Sequence, residues 1–327
     1  MRTLVTGATG FTGGHLARAL HRQGRDVRAI VRTEDARSAA LADAGIEVCH
    51  GDLRDAGSLR RALGGIDIVY NIGANYRQAS AGRDDYYAVN AAAVATLVEL
   101  AAATGVRRVV HCSTVGVHGD VEHPPANEDA PLRPGDEYQR SKLEGERLGR
   151  EAAARYDVEL VIARPSGIYG PGDRRLLKLF RGVSRRTFVT LGAGDIFYHL
   201  TYVDDLVEGF RLCGEVSGAA GRTYILAGGD VTPLNELVRR IAAAAGVRPP
   251  SLRAPVWPFW VAGALCEAVC VPLRIEPPIY RRRVDFFTKS RAFDIARARR
   301  ELGYSPQVGL DEGIRLTLAW YREQGWL

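Results

Sequence analysis

Eight residues near the start of the chain constrain its fold more than any others: Thr6-Gly7-Ala8-Thr9-Gly10-Phe11-Thr12-Gly13. They stand between a short apolar run, Thr3–Thr6, and a stretch of helical period, Gly13–Gln23. Glycine at every third position lets the backbone turn sharply and lets an anion approach the N–H groups at the positive end of a helix. A strand, such a turn and a helix together open a parallel βαβ series. The alternation continues, with strands expected at Val27–Val31, Ile46–Gly51, Ile66–Ile72, Arg108–Ser113 and Glu159–Arg164. Helices are expected between them at Glu34–Ala44, Ser58–Leu63, Tyr86–Thr104 and Tyr138–Tyr156. Right-handed crossovers of this length build an α/β fold, a Rossmann-type doubly wound parallel sheet with its ligand crevice at the carboxyl ends of the strands.

Beyond Pro165 the alternation weakens and Gly- and Pro-rich joints appear, as in Gly170-Pro171-Gly172 and Gly192-Ala193-Gly194. A Rossmann domain is therefore expected over 1–165, with 196–230 rejoining the sheet through Tyr198–Val203 and Thr223–Leu226. A smaller, discontinuous substrate lobe would comprise 166–195 and 231–327. Val256–Leu273 is apolar and aromatic, but Glu267 leaves its run too short to span a bilayer. It reads as a buried helix, or as an apolar lid or peripheral membrane contact helped by Arg281-Arg282-Arg283.

In 327 residues, 46% hydrophobic and 25% charged, there is material for a sizeable core, which sets aside disordered and collagen-like chains. The net charge of +6 comes from scattered basic residues, so a nucleic-acid partner is not expected. Only three of the 44 basic residues are lysines, Lys142, Lys178 and Lys289, which makes a well-placed lysine informative. The five cysteines lie in apolar stretches and read as small buried hydrophobes of a cytoplasmic protein. Cys266 and Cys270 share a helical face but have no accompanying histidine, so no metal site is expected.

The glycine turn, Gly7, Thr9, Gly10, Phe11, Thr12 and Gly13, fits a dinucleotide pyrophosphate. Arg32 ends the second strand, where a carboxylate would accept from a ribose 2′-hydroxyl and an arginine would pair with a 2′-phosphate. With Arg28 and Arg37 as possible helpers it favours NADP(H) over NAD(H). Asp52 and Leu53 end the third strand beside an adenine, Asp52 being alternatively a helix cap. Ile72, Gly73 and Ala74 end the fourth with small residues beside a ribose and diphosphate.

Tyr138 and Lys142 stand at i and i+4, on one face of a helix. A phenol titrating near 10 becomes a useful acid or base at neutral pH when a cation stabilises its phenolate. Ser113 and Thr114 end the fifth strand beside the same crevice, where a hydroxyl can hold a substrate oxygen while Tyr138 moves the proton. Tyr76, Arg77, Tyr198 and His199 lie at the expected crevice edges and are candidates for the substrate pocket, His199 being alternatively a hydrogen-bonded core histidine.

These pieces, with Val89-Asn90, Ala163–Asp173, Thr201–Asp205 and Ala298–Pro306, resemble the extended short-chain dehydrogenase/reductases, the NAD-dependent epimerase/dehydratase family, over nearly the full length. The resemblance implies Tyr138 as acid/base, Lys142 on the nicotinamide ribose, Thr114 or Ser113 on the substrate oxygen, and Asn90 supporting the lysine or a water beside it. It also implies Pro165, Ser166 and Ile168 against the nicotinamide, and a homodimer through the Tyr86–Thr104 and Tyr138–Tyr156 helices. Val115-Gly116 stands where sugar 4,6-dehydratases carry Asp-Glu, and Gly167 where many nucleotide-sugar members carry Asn. Arg164–Asp173 is closer to the 3β-hydroxysteroid dehydrogenase and dihydroflavonol reductase branches. The expectation is thus an NAD(P)-dependent oxidoreductase interconverting a secondary alcohol and a ketone on an apolar, steroid- or flavonol-like small molecule. An NDP-sugar 4-epimerase, or a non-catalytic dinucleotide sensor, are the alternatives.

Overall fold

The computed structural model describes residues 1–76, 82–270 and 281–327, without the side chains of 281–283. The strands in chain order are β1 (Arg2–Thr6), β2 (Asp26–Val31), β3 (Glu47–His50), β4 (Ile68–Asn71), β5 (Arg108–Cys112), β6 (Glu159–Pro165), β7 (Gly167–Tyr169), β8 (Thr190–Leu191), β9 (Phe197–Tyr202), β10 (Thr223–Leu226), β11 (Val231–Pro233) and β12 (Arg253–Ala254). The helices are α1 (Phe11–Arg22), α2 (Ala36–Ala42), α3 (Ala56–Leu63), α4 (Arg83–Tyr87), α5 (Ala93–Ala103), α6 (Glu137–Tyr156), α7 (Leu177–Ser184), α8 (Val203–Glu215), α9 (Leu234–Ala245), α10 (Val256–Cys270), α11 (Arg281–Thr288), α12 (Ala296–Leu302) and α13 (Leu310–Glu323).

Seven strands form one parallel sheet in the order β10-β6-β5-β4-β1-β2-β3. Its central strands are buried on both faces, which is why their sequences read as unbroken apolar runs. One face packs under α1 and α8 with Leu16, Leu20, Val207 and Phe210, the other under α3, α5 and α6 with Leu59, Leu97 and Ala152. The strand order reverses beside β1, between β4 and β2, and this switch point opens the crevice at the carboxyl ends.

The structure corrects three expectations. Tyr198–Val203 does not join the main sheet: β9 pairs with β7 and β11 in a separate three-stranded sheet, and only β10 rejoins. An apolar run announces a strand but not its partner. Tyr86–Thr104 is not uniform α-helix, because Ala88–Ala92 forms a π-turn between α4 and α5. Such turns commonly mark functional positions. The buried-helix reading of Val256–Leu273 also fails: in α10 only Gly263 is buried, whereas Trp257, Leu265 and Val269 are 70%, 64% and 60% exposed. Apolar on every side, α10 has more surface than its packing against α11 covers. Residues 271–273 lie outside the described part, as does Arg77.

Candidate active site

A cavity of about 690 Å³ runs along the carboxyl ends of β1, β2, β4, β5 and β6. At its centre the glycine turn leaves no room for side chains. A Cβ on Gly7, whose φ is +67°, would lie 2.7 Å from the Gly73 Cα, and one on Gly13 would lie 2.3 Å from the Gly7 carbonyl oxygen. Gly10 caps α1 without a side chain, so the first-turn N–H groups face the cavity unclaimed. A cradle that any Cβ would fill, at the positive end of a helix, fits a dinucleotide diphosphate.

At one end the cavity is lined by Arg32, Arg37, Asp52 and Leu53. Arg32 is exposed and, among the described residues, forms no ion pair. Arg37 is tied to Asp35, whose carboxylate also caps α2. Asp52 accepts from the Arg54 backbone and guanidinium, which holds its carboxyl below the usual range. Arg28 is not available as a helper: its buried guanidinium is spent on Glu47 and on the Ala62 and Gly64 carbonyls.

Along the middle lie Gly7, Thr9, Gly10, Phe11, Thr12 and Gly13 on one side and Ile72, Gly73 and Ala74 on the other. The far end brings together Ser113, Thr114, Tyr138, Lys142, Pro165, Ser166, Ile168, Tyr76, Tyr198 and His199, residues from five separate stretches of chain. Tyr138 and Lys142 face it from the first two turns of α6, capped by Asp136, whose carboxylate accepts from the Gln139 N–H at 2.8 Å. The Tyr76 ring meets that of Tyr138 edge-on at 5.0 Å. Burial pushes the Lys142 ammonium below its ordinary range.

Several side chains have other partners than the sequence suggested. The Ser113 hydroxyl donates to Glu146 at 2.5 Å, inside a buried network in which Arg164 grips both carboxylate oxygens of Glu146 at 2.9 and 2.7 Å. Thr114 is the hydroxyl whose oxygen stays near the cavity, accepting from the Gly116 N–H at 3.0 Å. Asn90 supports no lysine contact among the described residues. From the π-turn its amide accepts from the Asn75 N–H at 2.9 Å and donates to the Asn75 carbonyl and the Ser141 hydroxyl, each at 3.0 Å. It thereby clamps the loop after β4 to α6. His199 donates to the Gly228 carbonyl at 2.8 Å and accepts from the Phe293 N–H at 3.3 Å, a fully satisfied ring that borders the cavity.

Sequence reasoning missed Arg175, Gln139, Leu176, Phe286, Arg291 and Phe293, all of which line the cavity. Arg175 is held by Asp173 at 2.9 Å and by the Ile168 carbonyl at 2.8 Å, with its guanidinium 5.4 Å from the Phe11 ring and 5.9 Å from the Tyr76 ring. Asp173 is in turn fixed by Tyr321, whose hydroxyl donates to its carbonyl at 2.7 Å. The short Asp-Arg-Arg spacing was the available signal. Phe286 and Phe293 come from distant sequence and gave none.

A family model described as the NAD dependent epimerase/dehydratase family matches residues 3–227. The chain is 29% identical over 326 residues to the 2-alkyl-3-oxoalkanoate reductase of Stenotrophomonas maltophilia (strain K279a), covering 96% of this chain and 98% of that protein. It is 32% identical over 340 residues to the sterol demethylase protein B of Methylococcus capsulatus (strain ATCC 33009 / NCIMB 11132 / Bath), covering 99% of each. Among solved structures, MoeE5 in complex with UDP-glucose and NAD superposes with a TM-score of 0.77 at 27% identity, over 99% of both chains.

Proposed function

Because the chain belongs to the NAD-dependent epimerase/dehydratase family, we propose that it is an NADP(H)-preferring dehydrogenase/reductase that interconverts a secondary alcohol and a ketone on an apolar substrate. The observation that carries this reading is the meeting of Tyr138, Thr114 and Lys142 at the far end of a cavity walled by Tyr76, Leu176, Tyr198, Phe286 and Phe293. Arg32, open at the opposite end, supports the preference for a 2′-phosphate. The two relatives named for a 3-oxoalkanoate and a sterol support an apolar substrate.

When bound, the nicotinamide supplies or takes the hydride. The chain supplies the rest: Gly7–Gly13 hold the diphosphate, Thr114 donates to the substrate oxygen, Tyr138 gives or takes its proton, and Lys142 steadies the ribose and the phenolate. Tyr138→Phe should abolish turnover while leaving cofactor affinity within about threefold, since a hydroxyl is lost and the ring kept. Purified protein would be titrated with NADPH and NADH, then given apolar 3-oxo acids, steroid ketones and UDP-sugars. Net oxidation of NADPH by a ketone, lost in Tyr138→Phe, is the expected result. Conversion of a UDP-sugar without net cofactor oxidation would replace the reductase with a 4-epimerase.

A further inference from the structure

Lys142 is 1% exposed, and its Nζ lies 3.5 Å from His111 Nε2. Behind His111 runs a line of buried polar groups across three strands. His111 Nδ1 on β5 is 3.1 Å from the Asn71 Nδ2 on β4. The Asn71 Oδ1 is 2.8 Å from the Thr6 hydroxyl on β1, and Thr6 accepts from the Gly73 N–H at 2.8 Å.

The first member of this line fixes the direction of all the others. A backbone N–H only donates, so the Thr6 oxygen accepts and its own proton goes to Asn71 Oδ1. The Asn71 amide nitrogen then donates to His111 Nδ1. A neutral imidazole carries one N–H, so with Nδ1 accepting, the proton sits on Nε2 and points at Lys142. An ammonium has no lone pair to receive it; an amine has. Turning the Asn71 amide over would let His111 accept from Lys142, but would strand the Thr6 proton in a buried place without an acceptor.

We propose that Thr6, Asn71 and His111 hold Lys142 as a neutral amine in the resting protein, making His111 a positioning residue that sets the charge on the site's lysine. The inference rests on Lys142 being that lysine, but its test needs no turnover. Burial acts in the same direction on Lys142, and burial alone, the largest cause, holds His111 below its ordinary value, so the imidazole stays neutral. The other groups acting on Lys142 are Cys112 from β5 and Glu146 from α6, with Tyr138 one turn before it on the same helix. The Cys112 thiol is pushed up to about 11 by burial and remains protonated, and Glu146 is already gripped by Arg164 and Ser113. The positive charge that would stabilise a Tyr138 phenolate must therefore be acquired by proton uptake as an anionic ligand arrives.

The chain has only three lysines, so labelling with 13Cε-lysine yields three resonances, and the one missing in Lys142→Arg belongs to Lys142. Followed against pH in the ligand-free protein, the Lys142 resonance should already be that of an amine at neutral pH, where those of Lys178 and Lys289 are still ammonium, so its midpoint lies on the acid side of neutrality. Thr6→Val, three residues along the chain of contacts from Lys142, should raise that midpoint by about one unit, because Asn71 can then turn and His111 can accept. Thr6→Ala serves as the second variant, and Thr6→Ser, which keeps the hydroxyl, should leave the midpoint unchanged. A Lys142 resonance that is still ammonium at neutral pH, or a Lys142 midpoint that ignores the loss of the Thr6 hydroxyl, overturns the proposal.

Discussion

Gly145 is where the packing of the fold and the geometry of the site are the same quantity. On α6, a Cβ at this position would stand 2.0 Å from the Asn90 carbonyl oxygen, against 3.4 Å for the shortest ordinary contact. Gly145→Ala must therefore drive α6 and the π-turn apart by about 1.4 Å at that point, and both parts are backbone. Overpacking of this kind costs about 1–3 kcal/mol, partly offset by the gain of up to about 1 kcal/mol that alanine brings to a helix interior. We expect a net loss of about 1–2 kcal/mol in urea unfolding. The same displacement pulls on the Asn90 clamp to Asn75 and Ser141, and Tyr138 and Lys142 lie within two turns on α6. A misplacement approaching 1 Å costs about a hundredfold in rate, so kcat should fall between about ten- and a hundredfold. Gly149→Ala is the matched control: its Cβ would meet the Val94 Cγ1 at 3.1 Å, a side chain that can yield, and both stability and kcat should stay near wild type. Unchanged stability and turnover in Gly145→Ala, or equal losses in the two variants, would refute this reasoning.

Three other outcomes are expected. Arg164→Met should destabilise the protein by about 3–5 kcal/mol, because Glu146 is left buried without its bidentate partner, whereas Arg164→Met with Glu146→Leu should regain most of that loss; strictly additive losses in urea melts would sink the idea. Arg32→Asp should weaken NADPH more than NADH in fluorescence titrations, and equal weakening of both would detach Arg32 from any 2′-phosphate. Acidification should also destabilise the fold. His111, His118 and His199 are buried, mainly by which their folded values are lowered, so the unfolded chain takes up protons first. Their contribution is present above about pH 6.5 and is lost as pH falls towards the folded values, at up to about 1.4 kcal/mol per pH unit for each. Glu128 and Asp205, raised by burial, act in the opposite sense nearer pH 4–5. Urea midpoints at pH 7.5 and 5.5 test this, and a midpoint that holds or rises on acidification contradicts it.

The strands of the main sheet were legible to within about a residue or two because each carries its own apolar run, and the glycine turn because its spacing is local. Tyr138 and Lys142 were legible for the same reason: helical period puts them on one face. What could not be read were partners distant in sequence. Arg28 looked like an open cation until the fold set Glu47 beside it, Ser113 looked like an open hydroxyl until Glu146 and Arg164 closed over it, and the grip of Asn90 on Asn75 had no signal in the sequence. Each of these side chains meets a polar group that the tertiary structure alone brings to it. The same limit explains α10, since an apolar composition states what a helix would bury without saying what lies next to it.

The hydroxyl of Tyr321, near the end of the last helix, holds the carbonyl of Asp173, and the carboxylate of Asp173 holds Arg175. The cation beside the aromatic wall is thus registered to α13 and β7, while the phenol of Tyr138 is registered to the main sheet through α6. The separation between guanidinium and phenol is therefore a gauge of how the C-terminal elements sit against the nucleotide half. A small rotation of α13 changes that separation and, through the Phe11 ring beside the same guanidinium, reaches the glycine turn as well, so the reacting end of the cavity and the cradle for the dinucleotide are tuned together.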